Sequence, residues 1–273
     1  MEPFTRYGKK TFILSSWMEN SSSLIAGFTT KEDGTSLEPY SSLNLGFHVG
    51  DQQNLVVENR EKVAEEIGFP LSLWVGAEQT HGDQIQEIPQ KHLGRGAENY
   101  TTSLKGTDGL YSAEKGLLLT LAFADCVPIY FFAPKSHLIG IVHAGWKGTI
   151  GQIALKMVDK WASMGVAMSD IQAIIGPSIC KNCYKVDDKV IKEIDKIVTN
   201  IDETYYTVKD KGQYLLDLKQ VNHAILLNSG LCEENIVTSS LCTSCHSSSF
   251  FSHRRDRGKT GRMLGFIGWK ESS

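Results

Sequence analysis

Three residues invite a chemical reading first: Cys126 in "ADCVPIYFFAP", His143 in "IGIVHAGWKGT" and His81 in "QTHGDQ". Cys126 and His143 each end or interrupt a strand-like apolar run. Gly82, beside His81, permits a close backbone approach. Two neutral imidazoles and a thiolate form a ligand set suited to zinc, or to copper where geometry permits. Three protein ligands rather than four is the pattern of a catalytic ion, which keeps one position open. Cys126 and His143 also read as the nucleophile and base of a metal-free amidase or deamidase. A third reading needs no function, since a lone Cys often serves as a small hydrophobe and a lone His as a hydrogen-bonded core residue.

Other residues could support such a site. Asp125, next to Cys126, can orient a histidine or act as an acid/base group. Asp108, in "GTDGLYS", reads equally as a turn residue, because Asp-Gly is a turn signal. Asn44 and His48 sit in a Gly-punctuated loop, where specific side chains more often bind than pack. Asp51, just downstream, is a plausible helix N-cap. The segment "SHRRDRGKTGR" carries Arg254, Arg255, Arg257, Lys259 and Arg262. It reads either as a solvated face or as a clamp for a small phosphate or carboxylate. It lacks the Gly-Lys-Ser/Thr turn of a P-loop. Two Cys-x-x-Cys pairs, Cys180/Cys183 and Cys242/Cys245, could in principle close a four-thiolate metal site. The gap between them is far longer than a zinc ribbon uses, so they read as ordinary buried or half-buried thiols.

The elements that must position these residues are mixed. "LIAGFTT", "HLIGIVHAGW", "IQAIIGPSI" and "MLGFIGW" read as strands. "GLLLTLAFADCVPIYFF" reads as strand, interrupted by Asp-Cys-Val-Pro. "DQQNLVVENREKVAEEIGF" reads as a helix that Gly68 and Pro70 end. "KGTIGQIALKMVDKWASMG" reads as one long helix with Ile150, Ile153, Ala154, Met157, Val158 and Trp161 on its apolar face. "DDKVIKEIDKIV" and "LDLKQVNHAILLNSG" add two more. The irregular alternation predicts an α/β (α+β) fold, a single catalytic domain over 1–273, layered as an α/β/α sandwich with a mixed β-sheet. Trp17 and Trp269 are candidates for an interface or for the core.

The bulk numbers exclude several classes. The chain has 273 residues, 41% hydrophobic and 22% charged, with a formal net charge of −3. That balance argues against a nucleic-acid surface. No run approaches the roughly 18 apolar residues of a membrane span, and the first residues lack a secretory pattern. A cytoplasmic protein with no membrane partner is expected, its six cysteines reduced.

The blocks "SLNLGFHVGD … ENR", "QTHGD", "TDGLYS … GLLLTLAFADCVPIYFFAP", "IGIVHAGWKGTI", "IGPSIC … CYKV", "LCT" and "FFSHRRD … TGRMLGFI" add up. From about Leu24 to Ile267 the chain resembles the YlmD/YfiH family of laccase-domain, polyphenol-oxidase-like proteins, most closely its YlmD-type members. The resemblance implies a metal triad at His81, Cys126 and His143, and a sandwich similar to the deamidase domain of cytotoxic necrotizing factors. It implies phosphorolysis of purine nucleosides (adenosine, inosine, methylthioadenosine) to base and ribose 1-phosphate, with adenosine deamination beside it. The implied cofactor is Zn. Asn44, His48, Arg254 and Arg255 are then the expected substrate and phosphate ligands, and Asp125 or Glu78 the expected proton-transfer group. Copper-dependent phenol oxidation is the alternative, although eight scattered His with no His-x-His pair suit a multicopper enzyme poorly. The family's Tyr-Arg-Arg-Asp block stands here as His253-Arg254-Arg255-Asp256. Cys180 and Cys245 lie outside the family pattern.

Overall fold

The computed structural model describes residues 1–198 and 205–271. Its centre is two six-stranded sheets. The first runs in the order Phe4–Arg6, Thr11–Leu14, Leu24–Thr29, Met263–Trp269, Leu117–Phe123, Trp74–Gly76. The second runs Ile236–Thr238, Gln172–Ile175, Val127–Ala133, Leu138–Ala144, Gly109–Ser112, Ile85–Glu87. Both are mixed. Neighbours are antiparallel except for one parallel pair in the first sheet and two in the second. A small third sheet joins Lys185–Asp187, Gln213–Leu216 and Tyr206–Asp210.

The expected α/β class and mixed pairing hold, but the middle layer is double. Leu119, Leu121 and Phe123 of the first sheet pack against Tyr130, Phe132 and Ile141 of the second. The helix Gln53–Ile67 covers the outside of the first sheet through Val63, Ala64 and Ile67. Helices Ile153–Ser163, Asp188–Ile197 and Leu218–Asn228 cover the outside of the second. Strands buried on both faces explain the continuous apolar runs. Each such side chain, fully buried, contributes roughly 1.5–3 kcal/mol. Trp17 and Trp269 belong to the core between the sheets. No helix among the described residues is long and apolar enough to cross a membrane.

Three local readings change. "SWMEN", polar enough in sequence to suggest a loop, lies in a short helix, Ser15–Asn20. Asp51 does not cap the helix that follows. Its carboxylate instead accepts from Ser36 Oγ, Asn44 Nδ2 and the Gln52 N–H. The long helix after His143 is two pieces, Trp146–Ile150 and Ile153–Ser163, with Gln152 at φ 55° between them. Gly151, at this joint, lies close against the loop of His81: a Cβ on it would stand 2.6 Å from Asp83 Oδ2. The joint seats the loop that carries His81.

Candidate active site and metal centre

Strand register assembles the site. Leu117–Phe123 lies in the first sheet and Val127–Ala133 in the second, so residues 124–126 carry the chain between them. Asp125 makes that corner at φ 85°. Val127 pairs with Ala144 and Pro128 with His143, which brings the end of one strand beside the start of the other. Gly109 pairs with Val142, and the His143 N–H donates to the Asp108 carbonyl at 2.7 Å. Strand Ile85–Glu87 runs parallel to Gly109–Ser112, which lays the preceding turn, 80–83, over Asp108.

Asp108 organises what results. It is fully buried. Its Oδ1 accepts from the His81 N–H at 3.0 Å and sits 2.8 Å from His143 Nδ1. Its Oδ2 accepts from the N–H groups of Thr80 and Gly82 at 3.0 and 2.8 Å. One carboxylate therefore fixes both the turn of His81, at φ 60°, and the ring of His143. Burial pushes the Asp108 carboxyl up, but His143 and these N–H donors outweigh it and hold it below its usual range. The histidine-orienting acid is thus Asp108, the residue the sequence offers as a turn former, and not Asp125.

The ligand atoms of His81, Cys126 and His143 all lie within 4.8 Å of one another. The imidazoles meet edge to face, centroids 4.9 Å apart. Burial alone would raise the Cys126 thiol, yet the two histidines bring it down to about 6. Burial likewise opposes a charge on His143, but the Cys126 sulfur and Asp108 raise it to about 9. With His143 Nδ1 held by Asp108, Nε2 is the nitrogen left to ligate. Gly145 leaves room, since a Cβ there would stand 3.0 Å from Cys126 Sγ. Donor chemistry, spacing and the carboxylate behind the histidine all fit a three-ligand ion.

The triad opens into a cavity of about 350 Å³ whose wall includes His48, Trp146, Tyr184, His253, Arg254 and Arg262. Arg254 is anchored by one Nη to the Lys185 carbonyl at 2.6 Å and lies over the Tyr184 ring. Arg262 is anchored by Nη1 to the carbonyls of Thr260 and Gly261. His48 lines the wall with its side chain exposed to solvent, yet the surrounding protein, with Arg262 and Arg60 nearby, lowers its pKa to about 4.

Other expected site residues stand elsewhere. Arg255 points away from the cavity: its guanidinium binds the Asp256 carboxylate and the carbonyls of Thr243, Ser244 and Phe250. Asn44 is fully buried, its Oδ1 accepting from the N–H groups of Gly46 and Arg262. It thereby positions Arg262 and the loop of His48 rather than lining the wall. Asp125 reaches the cavity, but its oxygens accept from Thr243 Oγ1, Ser252 Oγ and the Arg254 N–H. Glu78 pairs with Lys105 at 3.2 Å.

Comparison with known proteins agrees with this architecture. A family model described as multi-copper polyphenol oxidoreductase laccase matches residues 25–270. The purine nucleoside phosphorylase YlmD of Bacillus subtilis is 47% identical, over 99% of this chain and 98% of that one. The YlmD of Geobacillus stearothermophilus is 49% identical over 90% of each. The crystal structure of the Geobacillus YlmD superposes with a TM-score of 0.96 at 45% identity, covering 99% of this chain and 100% of that chain. The structure of Bacillus licheniformis YfiH gives 0.95 at 46%, with the same coverage. Matched by the family model over residues 25–270, and similar to these proteins in sequence and topology over nearly its whole length, the chain belongs to the laccase-type family of YlmD and YfiH.

Proposed function

We propose that this protein is a purine nucleoside phosphorylase acting on adenosine, inosine and methylthioadenosine, with adenosine deaminase activity in the same cavity and Zn held by His81, Cys126 and His143. The observation that carries the proposal is one cavity lined both by that triad and by two anchored arginines, Arg254 and Arg262. Relatives named purine nucleoside phosphorylase over the whole chain support the substrate class.

Phosphorolysis needs a dianion bound beside C1′ of the ribose. Arg254 and Arg262 each keep guanidinium donors beyond their anchoring bonds, and clustered donors of this kind suit phosphate oxygens. Phosphate then attacks C1′, the C1′–N9 bond breaks, and its electron pair leaves with the purine. The transition state carries positive charge on the sugar, which the bound phosphate dianion stabilises. Tyr184 and Trp146 offer aromatic faces to the base. His48, neutral at working pH, can exchange a hydrogen bond with a sugar hydroxyl or the leaving base. A bound zinc would supply Lewis-acid polarisation of a substrate oxygen. For deamination the same cavity would present C6 of adenosine to water, releasing ammonia.

Incubation with adenosine, with and without phosphate, tests this. Adenine and ribose 1-phosphate should form only with phosphate, and Arg254→Met should raise the KM for phosphate about tenfold or more. No purine product under either condition would overturn the proposal.

A second reading has its own observation. Asp108, His143 and Cys126 line up as acid, imidazolium and thiolate, the arrangement of a cysteine amidase. That enzyme would need neither phosphate nor metal, so activity that survives chelation would favour it. The copper reading is narrower. Among the described residues only one potential metal cluster contains histidine, so phenol oxidation would have to run at a single ion.

A further inference from the structure

We propose that Cys180, Cys183, Cys242 and Cys245 bind a second zinc, a closed structural site separate from the triad. The two Cys-x-x-Cys pairs, far apart in sequence, meet in space, and their four sulfurs all lie within 4.8 Å of one another. All four are free thiols. The Cys183–Cys245 sulfurs are 3.5 Å apart and the Cys180–Cys245 sulfurs 3.9 Å. A tetrahedral zinc with four bonds of about 2.3 Å spaces its sulfurs about 3.8 Å apart. Disulfide sulfurs stand about 2.05 Å apart.

The backbone is shaped for thiolates. Cys242 Sγ accepts from the N–H groups of Cys180 and Cys245, at 3.2 and 3.4 Å. Each Cys-x-x-Cys turn thus sends a main-chain donor to the same sulfur, the kind of support that outer hydrogen bonds give to metal ligands. A second observation is electrostatic. Lys219 is buried, and its ammonium donates to the carbonyls of Ser239 and Leu241, just before Cys242. Among the described residues no carboxylate forms an ion pair with it. Burying its charge is costly, and the charges that offset it come from Asp217 first, then Cys242, Glu2 and Cys180. Four thiolates on a dication carry a net charge of about −2, and their sulfurs would add to that counter-charge.

None of the four cysteines lines the cavity, but the loops they would join do build its wall. Ile179 and Tyr184, flanking the first pair, face the cavity. Thr243, inside the second pair, holds Asp125. Ser178 bridges to Cys242, and the Thr243 N–H donates to the Ser178 carbonyl. A zinc here would pin residues 178–184 to residues 241–245 and so fix the wall that Arg254 rests on.

Protein purified without immobilised nickel should contain about two zinc ions per chain by mass spectrometry, one of each site type. The variant Cys126→Ala/His143→Ala should keep about one, and Cys180→Ser/Cys245→Ser should lose one. A second readout does not need the variants to fold: cobalt-substituted wild type should show the intense thiolate charge-transfer bands of a tetrathiolate site, which a single-thiolate site cannot give. A zinc-free Cys126→Ala/His143→Ala, iron at these sulfurs, a disulfide among them, or a cobalt spectrum of the single-thiolate kind would overturn the proposal.

Discussion

The molecule holds two clusters of soft ligands, and they differ in what surrounds them. His81, Cys126 and His143 stand at the mouth of a cavity, with three ligands and a buried carboxylate behind one of them. The four cysteines stand off that cavity, on two loops tied by backbone hydrogen bonds. Three ligands and open space suit an ion that meets substrate, whereas four thiolates leave no position for one. The difference implies a division of labour. The triad should govern turnover, and the tetrathiolate should govern how firmly the cavity wall is held.

The sharpest way to break that division is to remove one sulfur from each cluster. Cys126→Ala should lower kcat/KM for the nucleoside by more than about 100-fold, beyond the effect typical of an outer-sphere partner. Its Tm should stay within a few degrees of wild type. Cys242→Ser should do the reverse, lowering Tm by roughly 10 °C if the site contributes a few kcal/mol. Initial rates and thermal melts on the same preparations decide it. Equal melts for Cys242→Ser and wild type would remove the structural half of the comparison.

Asp108→Asn probes the support behind the triad. The amide cannot match a carboxylate that accepts three backbone N–H groups and the His143 ring. Activity and triad metal affinity should both fall about 10–100-fold. The tetrathiolate metal should be untouched, which competitive chelation with metal counting would read. Gly145→Ala is a smaller push on the same site. The added methyl meets Cys126 Sγ at 3.0 Å, so sulfur or strand must shift by tenths of an ångström. Triad metal should bind several-fold more weakly, with Tm nearly unchanged. A variant as tight as wild type would mean that the sulfur has slack.

Cys126 and His143 were legible because they sit at strand ends, and antiparallel register brings the ends of neighbouring strands together, whereas His81 reaches them on a turn that Asp108 holds. The double sheet was not legible. Apolar runs report burial on both faces, but the change of sheet at 124–126 leaves only a single Asp-Cys break. Asp108 was hidden by its own context, since Asp-Gly signals a turn whether or not the carboxylate is used. Its clue was the following strand, "GLYS", which had to pair beside His143. Arg262 was named only as part of a basic loop. It opens the final strand, whose Met263 pairs with Phe123, and this register carries it to the corner beside Asp125. The four cysteines defeated spacing altogether. Among the described residues, the chain between the pairs includes two helices and a hairpin, and it returns to Ser178 through a one-residue bridge.

The smallest expected effect separates the cavity from the tetrathiolate by pH. His48 is held neutral in the fold, with a pKa of about 4 against 6.5 for the free side chain, by the surrounding protein, with Arg262 and Arg60 nearby. The unfolded chain therefore binds a proton on this residue between those values while the folded chain does not. Stability is complete above pH 6.5, declines as pH falls toward 4, and takes no further loss from His48 below that. The shift would correspond to about 3 kcal/mol at most, and the ring is exposed, so solvent screening cuts the effect well below that. His48→Gln should flatten this limb of a urea-midpoint profile by one to two kcal/mol, roughly. Acid loss of zinc from the four cysteines would remain in the variant, since thiolates compete with protons for the metal whatever occupies position 48. A variant whose acid limb matches wild type would show that the cavity tolerates a charged His48, and would leave the cysteine cluster as the source of acid sensitivity.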